Sequence, residues 1–177
     1  MNHKFDVALS FATENQQLVE KVYHYLKAES INVFFAPSPE GQMFLSGKNQ
    51  REAFYNIFGM DAKFVALFVS KYYISKEVPM EEAGIAFAKH VSDGSVIPIY
   101  IDDTSLPTDI FNPKSMNYFK SSNPAVIASH LAGKIKIAGG HHRADGVMEA
   151  GKNVMNINGN IGGTQVFVQE INGSIKR

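Results

Sequence analysis

Phe64-Val65-Ala66-Leu67-Phe68-Val69 is an unbroken apolar run, and Ser75-Lys76-Glu77-Val78-Pro79-Met80-Glu81-Glu82-Ala83-Gly84-Ile85-Ala86 follows it closely. The first stretch has no polar alternation, so it reads as a strand buried on both faces. The second opens a helix, with Pro79 suited to its first turn. A buried strand feeding a helix is half of a βαβ unit, and it implies a parallel sheet. Glu81 and Glu82 then lie just past the carboxyl end of a strand, where open α/β sheets bind ligands. Acidic residues in a first turn also complement the helix macrodipole and need no function to be there.

The same alternation of strand and helix extends toward the N-terminus. Phe5-Asp6-Val7-Ala8-Leu9-Ser10-Phe11 reads as a central strand. Thr13 followed by Gln16 is a capping-box pattern, which predicts a helix from about Glu14. Leu18, Val19, Val22, Tyr23 and Leu26 form its apolar stripe. Ile31-Asn32-Val33-Phe34-Phe35 is a second strand, ended by Pro37 and Pro39. Residues 36–48 are expected to form a loop pinned by Met43, Phe44 and Leu45. A helix over 49–58 stops at Gly59.

Toward the C-terminus, Ser95-Val96-Ile97-Pro98-Ile99-Tyr100-Ile101 is a fourth strand. Its proline requires a position where no ladder donor is needed. Asn117-Tyr118-Phe119 is a short fifth strand, and Asn123-Pro124 caps a last amphipathic helix through Ile135. The predicted fold is α/β and flavodoxin-like, a parallel sheet of about five strands with helices on both faces.

From Gly139 the composition changes. Residues 1–137 are read as one domain, 138–152 as a linker and 153–177 as a β tail rich in Gly and Asn. In that tail Ile157-Asn158-Gly159-Asn160-Ile161 recurs 14 residues later as Ile171-Asn172-Gly173-Ser174-Ile175. Asn-Gly between apolar residues is a hairpin signal. The tail either packs on its own domain or stacks with copies of itself or a partner as a β-arch. His141-His142 on this Gly-rich linker, without cysteine and with few nearby carboxylates, is read as solvated chain and not as a metal site.

Bulk properties exclude several classes. The 177 residues carry 17 basic and 17 acidic side chains, so no net charge draws the chain to nucleic acid or an anionic membrane. Cysteine is absent, which removes disulfides and thiol chemistry. No N-terminal apolar segment and no membrane-length run is present, and the expected location is cytoplasmic.

The ordered set of motifs resembles the bacterial group of TIR domains over roughly residues 4–137. The resemblance rests on Phe5-Asp6-Val7-Ala8-Leu9-Ser10-Phe11, Leu45-Ser46-Gly47-Lys48-Asn49, Phe68-Val69-Ser70-Lys71-Tyr72-Tyr73 and Val96-Ile97-Pro98-Ile99-Tyr100-Ile101-Asp102. It implies cleavage of the nicotinamide–ribose bond of NAD+, giving ADP-ribose or a cyclic form. NAD+ is the substrate and no cofactor is required. Such members often act as assembly-activated effectors in anti-phage defence or signalling, with an upstream sensor and self-association as implied partners.

The family's catalytic glutamate stands four residues after a tryptophan, and counting from Glu77 makes Glu81 the candidate, with Glu82 next to it as the fallback. The resemblance also places Phe11, Ala12 and Thr13 near the dinucleotide, with Phe44, Leu45 and Ser46 on the other side. Ser46 and Glu77 stand where the family has tryptophans, so a stacking aromatic would have to come from Phe44 or Tyr72. A TIR module that only recruits partners is the competing reading. A receiver domain is disfavoured, since the third strand ends in Ser70-Lys71 and not in a phosphorylatable aspartate.

Overall fold

Which faces of the strands are apolar decides where each helix lies. The computed structural model describes residues 3–90, 94–112, 116–139, 160–161 and 164–165. In chain order it has β1 (Phe5–Phe11), α1 (Gln16–Ala28), β2 (Val33–Phe34), α2 (Pro39–Leu45), α3 (Gln50–Asn56), β3 (Ala62–Val69), α4 (Lys71–Ile74) and α5 (Glu77–His90). β4 (Val96–Tyr100), β5 (Phe119–Lys120) and α6 (Pro124–Ala138) complete the sheet domain. The strands form one sheet in the order β2-β1-β3-β4-β5, and every pair is parallel.

β3 occupies the middle, which is why its sequence is apolar on both faces. Side-chain direction alternates along a strand, and the two parities feed two separate cores. Phe64, Ala66 and Phe68 join Val7, Leu9 and Ile99 against α1 and α6. Val65, Leu67 and Val69 join Ala8, Ile57, Phe58 and the α5 residues Ala83, Ala86 and Phe87 on the opposite face. Each fully buried Leu or Phe side chain contributes roughly 1.5–3 kcal/mol by leaving water. Ser10 has the parity of Ala8, so β1 aims a hydroxyl into the α5 side of an otherwise apolar layer.

Pro98 sits in β4, the second strand from the edge. Ile101 N–H donates to Val69 O at 3.1 Å, so residues of odd number face β3. The missing donor of Pro98 faces the β5 side, where pairing begins only at Ile99 with Phe119.

Local chemistry differs from expectation at four places. Residues 36–48 are not simply a loop, because Ser38 caps α2 by accepting the Gly41 N–H at 3.0 Å, with Pro39 in the first turn. The capping box at Thr13 and Gln16 does not form; Thr13–Asn15 make a 3-10 turn without side-chain capping, and α1 starts after it. Gly59 does not end a helix at a loop. It lies in a π-type turn, Ile57–Asp61, that runs directly into β3. There a Cβ would stand 3.4 Å from Ile85 Cγ2, in contact with α5. The fifth strand is Phe119–Lys120, shifted slightly from its expected span.

In the tail, β6 (Asn160–Ile161) pairs antiparallel with β7 (Thr164–Gln165), after Asn158-Gly159 and not across it. Ala138, the first residue of the expected linker, ends α6; residues 140–152 with the two histidines, and the second copy of the repeat, lie outside the described residues.

Candidate active-site cleft

β1 and β2 both end at the carboxyl edge of the sheet, and the chain beyond each forms one wall of a cleft of about 430 Å³. Phe11, Ala12 and Thr13 come from the end of β1, and Ala36 and Pro37 follow β2. Lys76, Glu77, Val78, Pro79 and Glu82 close it from the start of α5. A second cleft of about 400 Å³ adjoins it, between α3 and α5. Gln50, Phe54, Glu77, Val78 and Glu82 line both, so Glu82 stands where the two meet.

Glu82 is only 7% exposed. Its Oε2 accepts a hydrogen bond from Ser10 Oγ at 2.5 Å, and Ser10 Oγ is 2.7 Å from the Tyr73 hydroxyl. Burial pushes the Glu82 carboxyl up to about 8; the Ser10 hydrogen bond pulls it back in part, and the neighbouring Glu81 charge adds to the rise. Among the described residues no cation stands against it. Burial without a facing cation favours the neutral form of this carboxyl.

Glu81 is placed differently. Helical rotation turns it toward α3, where its Oε1 accepts from Arg51 Nε at 2.8 Å and lies 2.6 Å from Arg51 Nη2. Its side chain is 36% exposed, it borders the second cleft, and it does not line the first. Phe11, Ala12 and Thr13 do line the first cleft, with the Phe11 ring stacked on Phe35 at 5.4 Å.

Phe44, Leu45 and Ser46 are not brought to either cleft. Phe44 packs edge-on to Phe5 at 5.3 Å, and Lys48 Nζ sits 3.4 Å over its ring. Phe44 and Leu45 pack instead against the apolar core on the α5 face of the sheet. Tyr72, the other candidate for stacking, is exposed and outside the clefts.

Sequence reasoning did not single out Ser10, Tyr73, Lys76 or Gln50. One signal was available for Glu82. It lies one helical turn before Ala86 and beside Ala83, both fully buried, so it belongs to the inward stripe of α5. Lys76 Nζ pairs with Glu14 at 2.9 Å, joining the turn before α5 to the turn after β1. That contact holds the Glu14 carboxyl below its ordinary value. Among the described residues no group of three or more His, Asp or Glu gathers to hold a metal ion.

A five-stranded parallel sheet in the order β2-β1-β3-β4-β5 with helices on both faces defines a flavodoxin-like α/β domain. Residues 7–129 match the TIR domain, and the chain belongs to that family. A curated relative from Aquimarina amphilecti, the 3′ cyclic ADP-D-ribose synthase AaTIR, is 31% identical over 139 residues covering 76% of this chain. The match takes in 41% of that relative, so the chain spans about two fifths of its length. The crystal structure of the TIR domain of the Toll-related receptor TRR-2 from Hydra magnipapillata superposes with a TM-score of 0.59 at 15% identity. That match covers 75% of this chain and 98% of the other, and it is a likeness of fold. Among the described residues no helix is long and apolar enough to cross a membrane.

Proposed function

We propose that the chain cleaves the nicotinamide–ribose bond of NAD+ and that Glu82, the neighbour of the first candidate Glu81, is the carboxylate that acts on the sugar. The observation that carries this reading is the burial of Glu82 at the junction of the two clefts, while Glu81 is committed to Arg51. The similarity to a 3′ cyclic ADP-D-ribose synthase supports the substrate class. Counted back four residues from Glu82, the family's tryptophan position falls on Val78, which lines both clefts. An aliphatic wall then replaces the stacking aromatic.

The chemistry suits one buried carboxylate. As the C1′–N bond breaks, its electron pair goes to the pyridine nitrogen, whose positive charge it cancels. Positive charge develops on the ribose, as in glycoside hydrolysis. A carboxylate fixed against that sugar, in a site poor in water, stabilises the charge in the transition state. Water then attacks C1′ and gives up a proton, forming ADP-ribose; attack by a hydroxyl of the same molecule gives a cyclic product. Lys76 and Arg51 stand at the rims, each paired with a carboxylate, Glu14 and Glu81, with which a pyrophosphate would compete.

Turnover gated by self-association, with the Gly/Asn-rich tail as the assembling segment, is part of the same proposal and rests on the internal repeat. So do an upstream sensor, a cytoplasmic setting and a defence or signalling role, which rest on the family resemblance. The test is nicotinamide release from NAD+ at rising protein concentration, with Glu82→Gln and Glu81→Gln alongside. Loss of release in Glu82→Gln alone supports the assignment. No release by the wild-type chain under any assembly condition leaves a recruiting module of the same fold.

A further inference from the structure

The Ser10 and Tyr73 hydroxyls are buried polar groups that the reaction as written does not use. Ser10 is 1% and Tyr73 0% exposed, and they meet each other and Glu82 in an unbranched string. We propose, resting on the assignment of Glu82 as the acting carboxylate, that Ser10 and Tyr73 are positioning residues: together they commit Oε2 of Glu82 to the sheet and leave Oε1 to face the sugar.

Three observations carry this. First, Ser10 belongs to β1 and is held in register opposite Leu67 of β3, so its Oγ is placed by the sheet and not by α5. Second, Tyr73 is fixed through its backbone, whose N–H donates to Ser70 Oγ at 3.1 Å, the cap of α4. Third, the proton inventory allows one arrangement when the carboxylate is ionised. Ser10 has a single hydroxyl proton and gives it to Oε2, so Tyr73 donates its own to Ser10 Oγ. Burial keeps the Tyr73 phenol far above its usual titration range, so it remains a donor.

The string ends inside the protein. Its far end, Tyr73, is fully buried, away from the cleft in which Glu82 stands. What the string does is orient. A glutamate side chain has three rotatable bonds, and a misplacement of about 1 Å can cost a hundredfold in rate. The ionisable groups around Glu82 are Tyr73 on α4, Glu77 and Glu81 on α5, Lys76 before it and Arg51 across the second cleft. Among these only Tyr73 belongs to the string.

The experiment uses the full chain and its Ser10→Ala, Ser10→Thr and Tyr73→Phe variants, with folding checked by thermal unfolding. Two readouts are taken: the titration midpoint of the Glu82 carboxyl by carbon-13 NMR without substrate, and kcat and KM for NAD+. Ser10→Ala removes a hydrogen bond to the charged form, so the midpoint moves up. Tyr73→Phe, nearly isosteric, moves it the same way by less. In both, kcat falls by about tenfold or more while KM stays within about threefold, and Ser10→Thr restores most of the loss. An unmoved midpoint in both deletion variants overturns the proposal, as does a moved midpoint with unchanged kcat. A wild-type chain that releases no nicotinamide refutes the NAD+ reading instead, and the midpoints alone then decide whether the hydroxyls hold the carboxyl.

Discussion

Glu81 and Glu82 are adjacent in α5, yet their carboxylates lie in opposite settings: Glu81 is held by Arg51 at the surface, and Glu82 is buried against Ser10. One residue of helix is a rotation of about 100°, enough to carry a side chain from solvent to core. Both bonding patterns are satisfied, so the register of α5 is set at two points at once.

Replacing either glutamate should therefore have unlike effects. Glu82→Gln is expected to lower kcat for nicotinamide release by about a hundredfold to a thousandfold, the scale for losing one preorganised charge-stabilising group. Glu81→Gln and Arg51→Ala should each leave stability nearly unchanged, because their ion pair is exposed. Steady-state kinetics and urea unfolding of the three variants check this.

The pH dependence of stability follows from the buried carboxyl. Folding raises the Glu82 value from 4.5 to about 8, so the folded state binds this proton more tightly than the unfolded chain. Its stabilising share is fully present below about 4.5 and is lost as pH rises through about 8. The difference is on the order of 5 kcal/mol. Thermal unfolding at pH 5.5 and pH 9 should show a larger fall in Tm for wild type than for Glu82→Gln, which never carries the buried charge. Equal falls would refute it.

Two glycines predict opposite signs. A Cβ on Gly41 would overlap the Phe35 carbonyl oxygen, and that oxygen is backbone. Gly41→Ala should destabilise by about 1–3 kcal/mol and disturb the neighbouring wall at Ala36 and Pro37. Gly133 lies inside α6, and among the described residues nothing outside the helix backbone comes within 4 Å of where a Cβ would stand. Gly133→Ala should stabilise by about 0.5–1 kcal/mol. Chemical denaturation of both variants reads the two signs.

Ser38 supplies the cap of α2. Ser38→Ala should cost about 1 kcal/mol and loosen the turn that holds Phe44 on Phe5. Movement of the α2 amide resonances toward random-coil values, with those of α6 unaffected, is the expected spectrum.

Much of the fold was legible because its signals are local. The apolar run at 64–69 is short and rich in strand formers, which suits a buried strand, and proline and glycine punctuation separates the elements around it. The elements that escaped are those decided by a single side-chain bond. Ser38 turned an expected loop into α2, and Thr13 failed to cap α1 although the pattern allowed it. The reading of Phe44, Leu45 and Ser46 as a ligand wall came from resemblance, and the aromatic cluster with Phe5 draws Phe44 elsewhere.

Sequence alone determined the alternation of strands and helices, the parallel sheet and the position of two acidic residues at its carboxyl edge, because hydrophobic period and turn chemistry are properties of neighbouring residues. Tertiary structure decided which of the two carboxylates is buried, and what it meets there. Ser10, Tyr73 and Glu82 come from three separate elements, and only the packing of α4 and α5 on one face of the sheet brings their oxygens together.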